Sequence, residues 1–124
     1  MSPQRPHIRG EHVIYGMDSE SSLIRLRIIA SEVCLEIESG SNGSKTTGYL
    51  SVTEARTLAA DLLTERGSER RRDRRFGTGV FLNGLYLKID SATSRDSVIV
   101  DPQSPRTQRL SGLLLFMANE IAVS

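Results

Sequence analysis

Two histidines, one cysteine, a pair of glutamates, a glycine-serine-lysine loop and an arginine run are the residues whose types could do chemistry here. His7 and His12 are five apart, a spacing that sends side chains to opposite faces of a strand and apart on a helix, so a shared metal ion is not expected. Gly40-Ser-Asn-Gly43-Ser-Lys45-Thr46 has the composition of a phosphate loop. Ser44 separates glycine from lysine, however, and a strand follows in place of a helix, so no helix N-terminus would face a phosphate. The segment reads as a hairpin loop. Glu36 and Glu38 share a strand face, as two catalytic carboxylates could, yet Arg25 and Arg27 are placed to neutralise them. Cys34 has no basic neighbour along the chain to hold it as a thiolate, and no G-x-S-x-G, H-E-x-x-H or C-x-x-C motif occurs. No catalytic residue, metal ligand or cofactor is therefore expected, with an unrecognised enzyme kept as the last alternative because catalytic groups need not be adjacent in sequence.

The arginine run, Arg66-Gly-Ser-Glu-Arg-Arg-Arg-Asp-Arg-Arg75, holds six arginines with Glu69 and Asp73 among them and Glu65 beside it, a local charge of +3. It has no apolar period and reads as a mobile linker over 65–75, in which Arg70, Arg71, Arg72, Arg74 and Arg75 could meet phosphates. The whole chain carries sixteen basic and fifteen acidic side chains, a formal +1, so only local charge can steer a partner. Fourteen of the sixteen bases are arginine, which a GC-rich genome writes without functional reason. A single cysteine allows no intrachain disulfide and suggests a reducing cytoplasm. The N-terminus lacks an apolar signal region, and nowhere do about 18 apolar residues run together, so no membrane association is expected.

Elements must position these groups. In 23–29 and 33–38 apolar residues recur at every second position, which predicts a hairpin turning at Ser31-Glu32. That register sets Arg27 opposite Glu36 and Arg25 opposite Glu38. A short third strand over 48–51 leads into a helix, announced by the Ser51-Val-Thr-Glu54 capping box and by Ala55, Leu58, Ala59 and Leu62. The second half repeats the order. Strands over 76–82 and 85–90 flank Asn83-Gly84, read as a type I′ turn that pairs Phe81 with Tyr86. A third strand over 97–100 follows, then a helix capped by Ser104 and running to about Ala122. At an offset of 52 residues the two halves share identities such as Leu35 with Leu87 and Leu58 with Leu110. The expected fold is α+β: duplicated βββα units forming one antiparallel sheet of six or seven strands, with both helices on one face. The expected organisation is a disordered 1–10, then one domain over 11–124 whose pseudo-repeats span about 22–64 and 76–123.

Two helices cover only one face of such a sheet, which leaves Ile29, Phe81 and Tyr86 facing away. The last helix is apolar beyond one stripe, through Leu115 and Phe116. Those five residues are the expected interface of a small protein-interaction or assembly module, with a homodimer or another protein as partner. The alternative is single-stranded nucleic acid, held by the arginine run together with Tyr86 and Lys88 on the outer sheet face. Paired sheet-and-helix units do occur in single-strand nucleic-acid binders, which place four strands before each helix where this sequence shows three; no family is identified from these residues.

Overall fold

The computed structural model describes residues 9–17, 22–40, 43–64 and 73–123. Along the chain lie β1 (Arg9–Tyr15), β2 (Leu23–Ile29), β3 (Glu32–Glu38), β4 (Lys45–Leu50) and α1 (Val52–Leu62). The same order then recurs as β5 (Arg74–Gly77), β6 (Val80–Asn83), β7 (Tyr86–Asp90), β8 (Arg95–Ile99) and α2 (Pro105–Ala122). The class is α+β with two helices, as the periodicity implies. The single sheet of six or seven strands is not what forms: there are two antiparallel four-stranded sheets, β1-β2-β3-β4 and β5-β6-β7-β8.

The strand count differs from the sequence reading for local reasons. The 76–82 run is broken by a turn at Thr78-Gly79, where Gly79 takes φ +71° and its carbonyl accepts from the Asp90 amide at 2.8 Å. A glycine permits that left-handed backbone at no steric cost, and the flanking apolar pattern hides it. β1 starts at Arg9, so the edge strand takes in the last two residues of the expected disordered tail, while 1–8 lie outside the described residues. The linker shortens as well: Arg74 and Arg75 belong to β5, and 65–72 lie outside the described residues.

Both hairpin turns sit one residue away from their expected places, and each register shifts by two. Ala30 and Ser31, at φ 52° and 68°, make the first turn, with Ile29 opposite Glu32 and Arg25 opposite Glu36. Two successive positive φ values are the mark of a type I′ turn. In the second hairpin the turn is Gly84-Leu85, flanked by the pair Asn83 and Tyr86, and only Gly84 has positive φ. That is the type II′ pattern, with glycine first, in place of the expected type I′ turn at Asn83-Gly84. Phe81 consequently faces Lys88 instead of Tyr86. A two-residue slip preserves face parity, so the assignment of inner and outer residues is unaffected.

The inner faces supply the core: Ile24, Leu26, Leu35 and Ile37 from the first sheet, Val80, Leu82, Leu87 and Ile89 from the second, all buried. The helices pack on each other and are shared between the halves, since α2 lies against β1, β2 and β3 while α1 meets β3, β4 and β5. α1 begins with the full capping box, Ser51 and Glu54 bonding each other's backbone amides. It buries Ala55, Leu58, Ala59 and Leu62, and α2 buries Thr107, Leu110, Ser111 and Leu114, each 52 residues further on. Where the helices meet, Ser111 Oγ donates to the Ala59 carbonyl at 2.8 Å. Where the sheets meet, Asp96 Oδ2 accepts from Thr46 Oγ1 at 2.6 Å and from Ser44 Oγ at 2.9 Å. Backbone also approaches closely at Gly77, where a Cβ would collide with the Tyr49 carbonyl.

Candidate functional site

Each sheet keeps an outer face that no helix covers, and the two faces differ in charge. On the first, Arg25 reaches Glu11 and Glu36 at 3.2 Å and Glu38 at 3.5 Å, and Arg27 reaches Glu36 at 3.6 Å. Burial works against the Arg25 guanidinium, but Glu36, then Glu38 and Glu11, outweigh it and hold its pKa above the ordinary arginine value. Glu36 is itself buried under the two arginines. These carboxylates are consumed in ion pairing, and the expected pairs Arg27 with Glu36 and Arg25 with Glu38 both form, although the register shift sets Arg25 directly opposite Glu36 and Arg27 opposite Cys34.

Cys34 lies on the same outer face, opposite Arg27, with Arg27 Nη2 4.0 Å from its sulfur. A basic group is therefore near, contrary to the expectation from chain neighbours, because strand pairing brings together residues seven apart. The thiol is still pushed up from its ordinary value, since burial outweighs the attraction of Arg27. His12 rests edge-on against Phe116, with ring centroids 6.3 Å apart. Among the described residues no group of His, Cys, Asp or Glu could hold a metal ion.

The outer face of the second sheet has the opposite character. Strand register arranges it in two rows: Arg75, Phe81, Lys88 and Ser97 across all four strands, and Asn83, Tyr86 and Ile99 across three. Neighbours within a row stand roughly 5 Å apart, and the rows roughly 7 Å apart along the strands. The Arg75 guanidinium lies over the Phe81 ring, 4.5 Å from its centroid. Lys88 and Arg75 have no carboxylate partner among the described residues, while Arg95 is 3.7 Å from Asp90 and stays largely in solvent. Tyr86 is 49% exposed and Ile99 39%, beside two cations without a carboxylate partner among the described residues.

Of the sequence-derived interface residues, Phe81 and Tyr86 lie on this face, Ile29 belongs to the first sheet, and Leu115 and Phe116 are exposed on α2. The five therefore divide among three surfaces. Of the nucleic-acid candidates, Arg75, Tyr86 and Lys88 come together. Arg74 turns away to pair with Asp61 of α1 at 2.6 Å, and Arg70, Arg71 and Arg72 lie outside the described residues. Sequence reasoning missed Asn83, Arg95, Ser97 and Ile99. The alternation in Arg95-Asp-Ser97-Val-Ile99 carried the signal for three of them, and Asn83 was read only as a turn residue. In comparisons with known proteins the chain matches no family model, and no significant match is found among curated proteins or solved structures. Among the described residues no helix is long and apolar enough to cross a membrane.

Proposed function

We propose that the protein binds single-stranded nucleic acid on the outer face of its second sheet. The observation that carries this reading is the placement of Lys88 and Arg75, without carboxylate partners among the described residues, around Phe81 and beside the half-exposed Tyr86. Unpaired bases stack on such rings for about 1 to 3 kcal/mol each, and cations alongside neutralise the phosphates. A duplex hides its base faces and would not profit from Tyr86. The first sheet supports the contrast, since its arginines are already occupied by Glu11, Glu36 and Glu38. The four strands before each helix equal in number those of the paired units in single-strand binders, a likeness of element order alone.

Fluorescence anisotropy with labelled single-stranded and duplex oligonucleotides tests this. Three cations, Arg75, Lys88 and Arg95, give an expected slope of log affinity against log salt of about −2 on single strands. Tyr86→Ala should weaken binding by about tenfold with the salt slope unchanged, because the ring contributes stacking and no charge. Absence of binding at low salt, or binding indifferent to salt, would remove the proposal.

A second reading, self-association or docking of another protein, is favoured by a different observation. Leu115 and Phe116 are adjacent on α2 and are 42% and 53% exposed. Sedimentation of the wild type and of Phe116→Glu at tens of micromolar decides it. A dimer lost on substitution supports the reading, and a wild-type monomer leaves the homodimer without support.

A further inference from the structure

We infer that Phe81 is a second base-stacking ring held closed by Arg75, which must swing off it onto a phosphate before two successive bases can lie side by side on Phe81 and Tyr86. The inference rests on the nucleic-acid reading of the same face and names the form of strand taken, one whose neighbouring bases are not stacked on each other. Tyr86 is already half exposed, whereas Phe81 is partly buried and carries the Arg75 guanidinium 4.5 Å from its centroid. Cross-strand pairing sets Phe81 opposite Lys88 and Asn83 opposite Tyr86, so the two rings are diagonal neighbours, two residues apart along the strands. A step of that kind is about 7 Å, double the ~3.4 Å rise between stacked bases. Consecutive bases can each meet a ring only when drawn out of their own stack.

Arg75 has no carboxylate partner among the described residues, and the ring is what holds it. An exposed cation–π contact is weak, worth about two- to fivefold in an equilibrium constant. A guanidinium makes stronger, paired, charge-assisted hydrogen bonds to a phosphate. A strand that enters over Tyr86 brings such a phosphate, draws Arg75 away, and leaves the bared ring to the next base. Lys88, beside Phe81 in the same row, keeps a cation at the ring when Arg75 has left. Until then the apparent affinity is reduced by the fraction of molecules in which the ring is open. Arg75 therefore opposes binding through the ring that it covers and favours binding through its charge, and added salt separates the two because it screens only the charge.

The test uses a short thymine oligomer and two readouts. In the nitrogen-15-labelled protein the Arg75 Nε proton lies over Phe81, and the ring current shifts it upfield; binding should carry it downfield to the ordinary arginine range. An unmoved signal, or a further upfield shift from a base stacked on the guanidinium, overturns the inference. Anisotropy over a range of salt then compares the wild type with Phe81→Leu and Arg75→Thr. Phe81→Leu should lose about tenfold. Arg75→Thr should bind more weakly than the wild type at low salt and about two- to fivefold more tightly at high salt, where the bared ring outweighs the lost charge. Wild-type affinity in Phe81→Leu, or an Arg75→Thr that is tighter at no salt concentration, overturns the inference while leaving stacking on Tyr86 intact. Failure of the wild type to bind the oligomer overturns it together with the proposed function. The Arg75 signal is read on the wild type and decides on its own if a variant is poorly folded.

Discussion

Gly77 is held by what surrounds it. Its Cα faces the Tyr49 carbonyl so closely that any side chain must push β5 away from β4. Gly77→Ala should therefore destabilise the protein by about 1 to 3 kcal/mol, the usual cost of overpacking against backbone, measured by urea denaturation. Cys34 makes a second prediction. A thiol whose folded pKa is raised contributes stability that is complete below the unfolded value, near 9.0, and is lost as pH rises toward the folded value. The stability difference between wild type and Cys34→Ala, followed from pH 7 to pH 10.5, should fall at the alkaline end, and a flat difference would contradict the buried thiol. At this scale the sequence was informative where parity alone decides, as for Arg25, Arg27 and their glutamates. It was silent on contacts that need the exact register, such as Arg27 beside Cys34 or Arg75 over Phe81.

The elements follow from short-range rules, and their errors have short-range causes. The Ser51 capping box, the Ser104-Pro105 start and the apolar spacing of both helices were legible because each signal lies within a few residues of the element it makes. Turn positions were less legible, since Ala30-Ser31 adopts two positive φ values that its residue types do not advertise. The division into two sheets was hidden altogether, because hydrogen bonding between distant strands leaves no periodic trace. We read the repeated ββββα order as a duplication. Residues equivalent under the offset touch each other, Ala59 with Ser111 at a spacing of 52 and Thr46 with Asp96 at 50. Leu58 and Leu110 are then equivalent and fully buried. Leu58→Ala and Leu110→Ala should each cost about 2 to 5 kcal/mol, and similar amounts, by urea denaturation. Losses that differ several-fold would argue against equivalent environments.

Across the whole molecule, a formal charge of +1 conceals two unlike faces. The first sheet satisfies its arginines internally, and on the second Arg75 and Lys88 stand beside aromatic rings without a carboxylate partner among the described residues. Halves that share a fold can diverge in this way because outer-face residues carry little of the core's burden. The direct test is amide chemical-shift mapping of the labelled protein during titration with a short single-stranded oligonucleotide at low salt. Saturable shifts should gather on Arg75, Phe81, Asn83, Tyr86, Lys88, Ser97 and Ile99, and leave Arg25, Arg27 and Glu36 unmoved. Shifts centred on the first sheet or on Leu115 and Phe116, or none at all, would contradict a nucleic-acid site on the second sheet.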